Sequence, residues 1–254
     1  MSRPYYNPND PNVQLLEIVA ARLGKPMLDR LVFVGGSVAG LLITDPILPA
    51  IRPTDDVDLV VQVTGRQDFY ALEDGLRALG FVNDTGRDAP ICRWRYGGIM
   101  VDVVPSDKAI LGFANRWYPL GLKTAQPITL PSGIAITAIN APCFCATKLE
   151  AFADRGNTSA GEPDFLGSHD LGDLIAVVDG RASLLLEIEQ SDIDLKKYLA
   201  ERASQFVNSP KFMRSIEGHL QPDAVSQLRA PAIRATFHAM AALKTNLTTY
   251  DKLI

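Results

Sequence analysis

Two aspartates stand two residues apart in a short run that has the composition of a β-strand. Asp56 and Asp58 alternate with Val57 and Leu59 in the segment Arg52–Val60. Because successive side chains of a strand point to opposite faces, the two carboxylates share one face and lie about 7 Å apart. Like charges placed in this way repel each other unless they are solvated, paired or bound to a cation. The pair is therefore either the polar edge of a strand or a magnesium site completed by substrate phosphates.

A third aspartate lies inside a later apolar run. Asp102 is the only acid of the segment Ile99–Val104, and an unpaired buried charge is costly, so its position needs a reason. On a strand beside the first, Asp102 completes a set of three carboxylates, which can hold two divalent ions that activate an attacking oxygen and stabilise a leaving pyrophosphate. Asp102 alone could instead be an edge residue or part of a salt bridge. Strand alternation favours Asp56 over Asp55 as the partner of Asp58.

A glycine turn precedes the acidic strand. Gly35-Gly36-Ser37 follows the apolar run Leu31–Val34 and precedes a short helical pattern at residues 38–43. Glycines let the backbone turn sharply and bring its N–H groups close to a ligand. The helix N-terminus behind them favours an anion such as phosphate, and Ser37 adds a hydroxyl. The same residues could also do no more than connect a strand to a helix.

Four charged residues in the second half have helical spacing. Lys148 and Arg155 are seven residues apart, and Asp170 and Asp173 are three apart, so each pair shares one face of its helix. The two aspartates could orient the two cations by charge-assisted hydrogen bonds. The cations could then face the phosphates of a nucleotide across a cleft. The alternative is a solvated lattice of salt bridges on two helices.

The order of these motifs resembles that of a known superfamily. Gly-Gly-Ser at 35–37, Asp-x-Asp at 56–58 and the later Asp102 resemble the nucleotidyltransferase superfold. The segments Lys148–Gly156 and His169–Leu174 narrow the resemblance to the AbiEii/MenT-type nucleotidyltransferase toxins, whose pattern has a Lys, a downstream Asp-Arg and then a helix that contains Asp.

The resemblance implies a reaction, a cofactor and a set of site residues. The reaction is transfer of NMP from an NTP to an acceptor hydroxyl with release of pyrophosphate, assisted by Mg²⁺ or Mn²⁺. Asp56, Asp58 and Asp102 are the metal ligands and, with Lys148, the catalytic residues, and Asp102 is the better candidate to accept the proton of the acceptor. The nucleotide-binding residues are expected to be Gly35, Gly36, Ser37, Arg52, Lys148, Arg155, Asp170 and Asp173.

Three alternatives stay open: two classes of acceptor, and a protein without catalytic activity. The resemblance to the toxin family implies that the acceptor is the 3′ end of tRNA and that the protein is the toxin of a toxin–antitoxin pair with a cognate antitoxin. A small molecule such as an antibiotic, or a protein that becomes AMPylated, is the second alternative, and the acidic net charge of the chain favours it. The third is a catalytically silent protein that binds a nucleotide or a partner.

The predicted secondary structure that positions these residues changes near residue 140. Up to that point the patterns are mixed, and beyond it they are helical. Strands are predicted at 31–34, 57–63, 81–82, 91–96, 99–104, 126–130 and 134–137, and the first-half helices at 13–23, 38–43 and 67–79. Further helices are predicted at 142–155, 168–179, 183–190, 192–207, 209–219 and 230–243. The predicted architecture is α/β, more narrowly α+β: a mixed sheet of the nucleotidyltransferase fold in a catalytic domain at 1–140, and a helical domain at 141–254 that closes the nucleotide cleft.

Composition excludes several classes of protein. The 254 residues are 47% apolar and 21% charged, which excludes a wholly disordered chain. The net charge is −4, with 10 Lys/Arg against 8 Asp/Glu after residue 180, so the chain is no generally basic nucleic-acid coat. The three cysteines are expected to be reduced thiols, and we expect no signal peptide and no apolar run near the roughly 20 residues of a membrane span. A soluble, cytoplasmic protein of undetermined oligomeric state and NTP preference is predicted.

Overall fold

The computed structural model of the protein describes residues 6–45 and 51–250, with the side chains of the last helix described to residue 243. The predicted loop around Pro46 and Pro49 lies outside the described residues. All elements, counts and contacts given for the protein belong to these described residues.

The chain divides into two compact units, one of residues up to Leu42 and Arg52–Asn140, the other of Ile43–Ile51 and the chain from Ala141 onward. The short segment that follows Leu42 belongs to the second unit. The backbone N–H groups of Thr44 and Asp45 both donate to the carbonyl oxygen of Gly180, at 2.9 Å each. These two hydrogen bonds attach the segment that follows Leu42 to the second unit.

A seven-stranded mixed sheet forms the first unit. Its strands are β1 (Leu31–Val34), β2 (Asp56–Val61), β3 (Val82–Asn83), β4 (Arg93–Tyr96), β5 (Ile99–Pro105), β6 (Gln126–Thr129) and β7 (Ala135–Ala138). Their order across the sheet is β3-β4-β5-β2-β1-β7-β6. All four residues of β1 are buried, as expected for an apolar run that is covered on both faces.

The acidic strand β2 lies near the middle of this sheet. It pairs antiparallel with β1 and parallel with β5. In this register Asp58 stands opposite Val34 on one side and opposite Asp102 on the other. Val57 and Leu59 are buried, while Asp56 and Asp58, which alternate with them, are half-exposed. This is the alternation predicted from the sequence.

Five helices accompany the sheet in the first unit. The longest, α1 (Pro11–Leu28), is capped by Asp10, whose carboxylate accepts from the N–H groups of Asn12 and Val13. Gly24 has φ 67° and ψ 165° and breaks the helical path inside α1. The helix predicted to end at residue 23 is therefore only kinked at this glycine and continues to Leu28. A 3₁₀ turn at Gly36–Val38 precedes α2. The other helices are α2 (Ala39–Leu42), α3 (Arg66–Ala78), α4 (Lys108–Leu111) and α5 (Tyr118–Thr124).

The second unit is helical. Its helices are α6 (Ala141–Arg155), α7 (His169–Gly180), α8 (Leu184–Glu189), α9 (Ile193–Val207), α10 (Pro210–Ser215), α11 (Ala224–Gln227) and α12 (Ala230–Tyr250). An aromatic cluster fills its core. The rings of Phe206 and Phe212 stack at 4.2 Å between centroids, and Phe237 meets both edge-on. All three side chains are buried.

Several predicted boundaries differ from the structure. The ladder between β4 and β5 ends at Arg93, so the strand predicted at 91–96 begins two residues later. The helix predicted at 209–219 tightens after Ser215 into a 3₁₀ turn, a common form of a last helical turn. The short helices α4, α5 and α11 have too few turns to produce a periodic pattern and were not predicted. Among the described residues, no helix combines the length and apolar character that a membrane span requires.

Candidate metal centre

Three carboxylates come together on the sheet of the first unit. Asp56, Asp58 and Asp102 each offer one oxygen that lies within 4.8 Å of the other two. Asp102 is buried, 8% exposed, while the other two are half-exposed. The register between β2 and β5 causes this grouping, because it sets Asp58 directly opposite Asp102. Asp55 is exposed in the turn before β2 and does not belong to the cluster.

The donor set suits a hard divalent cation. All three groups supply carboxylate oxygens, the ligand type that Mg²⁺ prefers in proteins. Bonds of about 2.1 Å hold two ligands of one Mg²⁺ ion at most about 4.2 Å apart, so small side-chain rotations would bring these oxygens onto one ion. The residues therefore fit Mg²⁺ or its close analogue Mn²⁺.

A guanidinium group lies against the carboxylate cluster. Arg93 on β4 donates from Nε to Oδ1 of Asp102 at 2.8 Å and from Nη2 to Oδ2 at 2.7 Å. The same Nη2 atom is 3.8 Å from Oδ2 of Asp56. The hydrogen bonds to Asp102 raise the pKa of Arg93 above its already high ordinary value, so the guanidinium stays charged.

Sequence reasoning missed Arg93, although its position could have been deduced. Gly97-Gly98 between the strands predicted at 91–96 and 99–104 indicates a hairpin turn, and the ladder pairs Tyr96 with Ile99 across it. Counting three residues outward from that pair on each strand brings Arg93 opposite Asp102. The hairpin register therefore predicts Arg93 as the partner that compensates the buried charge of Asp102 in β5.

The predicted glycine turn lies directly against the carboxylate of Asp58. Gly35 has φ 72°, and a Cβ at this position would overlap the carboxylate of Asp58. Gly36 and Ser37 are buried in the 3₁₀ turn that follows. The Oγ of Ser37 is buried and has no hydrogen-bond partner among the described residues. A buried hydroxyl of this kind normally has a partner, so a ligand oxygen is a chemically reasonable one.

A polar chain from α1 supports Asp56. The side-chain Oδ1 of Asn12 accepts from the N–H of Thr54 at 2.9 Å, and the hydroxyl of Thr54 donates to Oδ1 of Asp56 at 2.6 Å. Asn12 Nδ2 also donates to the carbonyl oxygen of Arg52 at 3.1 Å. Arg52, a predicted nucleotide-binding residue, is exposed and donates from Nη1 to the carbonyl oxygen of Pro53 at 3.1 Å.

The predicted charged residues of the second unit form one network. Lys148 on α6 donates from Nζ to Asp173 at 2.7 Å and to Asp170 at 3.1 Å, both on α7. Arg155 donates to both oxygens of Asp170, at 2.9 and 3.0 Å. The charge-assisted bonds predicted from the helical spacing are therefore present.

The two cations of this network differ in exposure. The side chain of Lys148 is 10% exposed, whereas that of Arg155 is 73% exposed. Burial acts to raise the pKa of Asp170, but the hydrogen bonds from Arg155 and the charge of Lys148 outweigh it and lower that pKa below its ordinary value. Asp170 is thus held as a carboxylate, which keeps Lys148 compensated inside the helical unit.

A separate cavity of about 340 Å³ opens at the other end of the central strands. It is lined by Asp29, Arg30, Leu31, Val32, Gln62, Leu122 and Thr137. Its two charged residues already have partners, because Asp29 pairs with Lys25 and Arg30 pairs with Asp68, each at 2.7 Å. The carboxylate cluster lies at the opposite end of β2, so we assign the chemistry to the cluster and none to this cavity.

Comparisons with known proteins give limited similarity. The chain matches no protein-family model, and no curated protein matches its sequence. It is similar to the crystal structure of a candidate nucleotidyltransferase from Helicobacter pylori, at 12% identity and a TM-score of 0.45, over 95% of this chain and 99% of that chain. It is also similar to the crystal structure of JHP933 from Helicobacter pylori, at 13% identity and a TM-score of 0.45, over 94% of this chain and 97% of that chain. Similarity at this level assigns no function, which has to be argued from the residues.

Proposed function

We propose that the protein is a metal-dependent nucleotidyltransferase, which transfers NMP from an NTP to an acceptor hydroxyl and releases pyrophosphate. The observation that carries this proposal is the contact between a three-carboxylate cluster and a glycine turn. Asp56, Asp58 and Asp102 would hold Mg²⁺ or Mn²⁺. Gly35 leaves the room that Asp58 needs, and Ser37 offers a buried hydroxyl close behind it. The carboxylates suit a metal ion, and the backbone N–H groups of the turn suit phosphate oxygens. The two together suit a triphosphate that is bound with its metal ion.

The residues of the first unit have distinct parts in this proposal. The metal, when bound, neutralises phosphate charge and polarises the reacting oxygens. Asp56 is oriented for ligation by the hydroxyl of Thr54. Asp102 is the candidate acceptor of the proton that leaves the acceptor hydroxyl as its oxygen bonds to the α-phosphorus and the bond to pyrophosphate breaks. Both oxygens of Asp102 are bonded to Arg93, so proton transfer needs their remaining lone pairs or release of the guanidinium.

The charged network of the second unit supplies the proposed phosphate-binding cations. Arg155 is the accessible one, and its bidentate bond to Asp170 fixes the orientation of its guanidinium. Lys148 is held between two aspartates, and its proposed part is electrostatic stabilisation of the triphosphate. Asp170 and Asp173 act by positioning these cations. Arg52 and Gly36 complete the proposed nucleotide-binding set.

The reaction is tested by incubating the full chain with each of the four NTPs labelled at the α-phosphate, with Mg²⁺ or Mn²⁺, and with total tRNA and hydroxyl-bearing antibiotics as acceptors. We expect pyrophosphate release and label transfer in the wild type and a loss of about a thousandfold or more in Asp58→Asn. Asp55→Asn is the matched control, because it removes a neighbouring exposed carboxylate outside the cluster, and we expect it to retain activity. No turnover with any NTP and either metal would refute the proposal and leave a catalytically silent binding protein.

For the acceptor, we propose the 3′ end of tRNA and a role as the toxin of a toxin–antitoxin pair with a cognate antitoxin. The support is the resemblance of Lys148–Gly156 and His169–Leu174 to the AbiEii/MenT-type pattern. A small molecule, or a protein that is AMPylated, is the second candidate, and the net charge of −4 favours it because large tRNA-binding surfaces are usually basic.

The acceptor is tested in parallel reactions that contain total tRNA, a panel of hydroxyl-bearing antibiotics, or protein alone. Label that migrates with tRNA, and that disappears when the 3′-terminal hydroxyl is oxidised with periodate, supports the tRNA proposal. Label found only in a small molecule or in protein would overturn the tRNA proposal while leaving the nucleotidyltransferase proposal intact.

A further inference from the structure

The carboxylate cluster already contains one positive charge of its own. The guanidinium of Arg93 makes two parallel hydrogen bonds to Asp102, at 2.8 and 2.7 Å. Bidentate arginine–carboxylate pairs are among the stronger and more directional charged contacts in proteins. The pair is also shielded from solvent, since the side chains of Arg93 and Asp102 are 21% and 11% exposed. Screening by water is therefore weaker here than for a surface pair.

We propose that Arg93 is the built-in counter-ion of the three carboxylates and sets how many metal ions these carboxylates hold. Without nucleotide the protein binds one divalent ion at Asp56 and Asp58, and a second ion reaches Asp102 only together with the triphosphate. Arg93 is thus a positioning residue that couples metal loading to the substrate. The inference rests on the proposed function, because the triphosphate is the source of the additional negative charge.

The charge balance supports this order of binding. Three carboxylates and one guanidinium leave two net negative charges, which one divalent ion neutralises. A second ion without further anions would leave the centre positive in a partly buried site, where repulsion between cations is poorly screened. The phosphates of an NTP supply the missing negative charge. Removing Arg93 would lower the net charge of the centre with two ions from +2 to +1, so a second ion would bind more readily without nucleotide.

The geometry supports the same conclusion. Arg93 already uses both oxygens of Asp102, and its Nη2 atom is also 3.8 Å from Asp56. A metal ion that approaches Asp102 therefore meets a fixed cation, whereas the carboxylate of Asp58 lies against Gly35. The ladder holds Arg93 in place, because its backbone stands opposite Asp102 between two adjacent strands.

The neighbouring Arg95 provides a matched control. It lies two residues further along β4, and its Nε donates to Asp84 at 2.7 Å. Arg95→Gln therefore removes a bonded arginine from the same strand without touching the carboxylate cluster. Arg93→Lys provides the second comparison, because it keeps the charge and loses the bidentate geometry.

The test counts Mn²⁺ ions bound to the full chain, from the electron paramagnetic resonance signal of free Mn²⁺, with and without a non-hydrolysable NTP analogue. We expect one ion in the wild type without the analogue and two with it. Arg93→Gln should bind a second ion without the analogue, with affinity at least about tenfold above that of the wild type at that position. Arg95→Gln and Arg93→Lys should behave like the wild type, and circular dichroism checks that each variant is folded.

Several results would overturn the inference. Two ions in the nucleotide-free wild type would do so, and this result needs no variant to fold. Equal ion counts and affinities in Arg93→Gln and Arg95→Gln would also do so, as would a second ion in nucleotide-free Arg93→Lys. A wild type that binds no Mn²⁺ with or without the analogue would instead refute the proposed metal centre itself, which separates failure of the inference from failure of the function.

Discussion

At the scale of single residues, Gly35 constrains the carboxylate centre most tightly. Its φ of 72° lies in the left-handed region, which glycine adopts without steric cost. The space that a Cβ would occupy is already taken by the carboxylate of Asp58. The glycine is therefore needed both for the turn of the backbone and for the placement of the Asp58 carboxylate.

We expect Gly35→Ala to weaken Mn²⁺ binding by about tenfold or more, because Asp58 must rotate away from the new methyl group. Gly133→Ala is the matched control: its φ of 90° is also left-handed, but its Cβ would enter open space. Both variants should lose about 1–2 kcal/mol of stability from backbone strain, and only the first should lose metal affinity. Unchanged Mn²⁺ affinity in Gly35→Ala, measured by isothermal titration calorimetry, would contradict the assignment of Asp58 as a ligand.

The residue scale also shows how far the sequence predicts the centre. Alternation along one strand was enough to identify Asp56 and Asp58, and a lone acid in an apolar run was enough to single out Asp102. Arg93 followed from the hairpin register but belongs to no chemical motif, so it was overlooked. The support of Asp56 by Asn12 was beyond sequence reasoning, because residues 12 and 54 are brought together only by packing of α1.

At the scale of elements, the pairing of α6 and α7 rests on a buried ionic network. Lys148 is enclosed with Asp170 and Asp173, which are 5% and 3% exposed. Helical periodicity predicted that each pair of like charges shares a face, but it could not predict that the network is buried rather than solvated. Burial depends on which neighbours cover the helices, and local patterns do not contain this information.

We expect Lys148→Met to lower the free energy of unfolding by about 3–5 kcal/mol, because it leaves two buried carboxylates without their shared cation. Lys211→Met is the control. Lys211 pairs with Glu162 at 3.1 Å on the surface, with side chains 71% and 68% exposed, and such pairs contribute about 0–1 kcal/mol. Urea unfolding monitored by circular dichroism measures both variants. Similar losses in the two would show that the network does not stabilise the helical unit.

At the scale of the whole molecule, the negative net charge has a partial structural cause. The chain carries a net charge of −4, and three of its carboxylates converge in the first unit where a divalent ion fits. The change of character near residue 140 was readable from the sequence because strand and helix periods differ. The attachment of Thr44 and Asp45 to the second unit was not, because it consists of backbone hydrogen bonds to Gly180, far away in the chain.

The pH dependence of global stability just below pH 6.5 should be governed by His219. Burial lowers its pKa from 6.5, so the native state binds fewer protons than the unfolded state. Stability is therefore full above pH 6.5 and falls as the pH drops through that value towards the native pKa. We expect the urea midpoint of the wild type to decrease over this range.

His219→Gln should remove most of that decrease, because glutamine does not titrate and its amide can still donate to the carbonyl oxygen of Phe165. His238→Gln serves as the control histidine variant and should retain the pH dependence of the wild type. An equal pH dependence in His219→Gln and the wild type would rule out His219 as the cause.

The central claim, that the three carboxylates form the metal centre of a nucleotidyltransferase, is tested most directly by crystal diffraction. Crystals grown with Mn²⁺ and a non-hydrolysable NTP analogue would be measured at the manganese absorption edge. We predict an anomalous peak within about 2.5 Å of carboxylate oxygens of Asp56 and Asp58 and next to the triphosphate. A triphosphate bound elsewhere on the chain, or an anomalous peak away from these aspartates, would contradict the account.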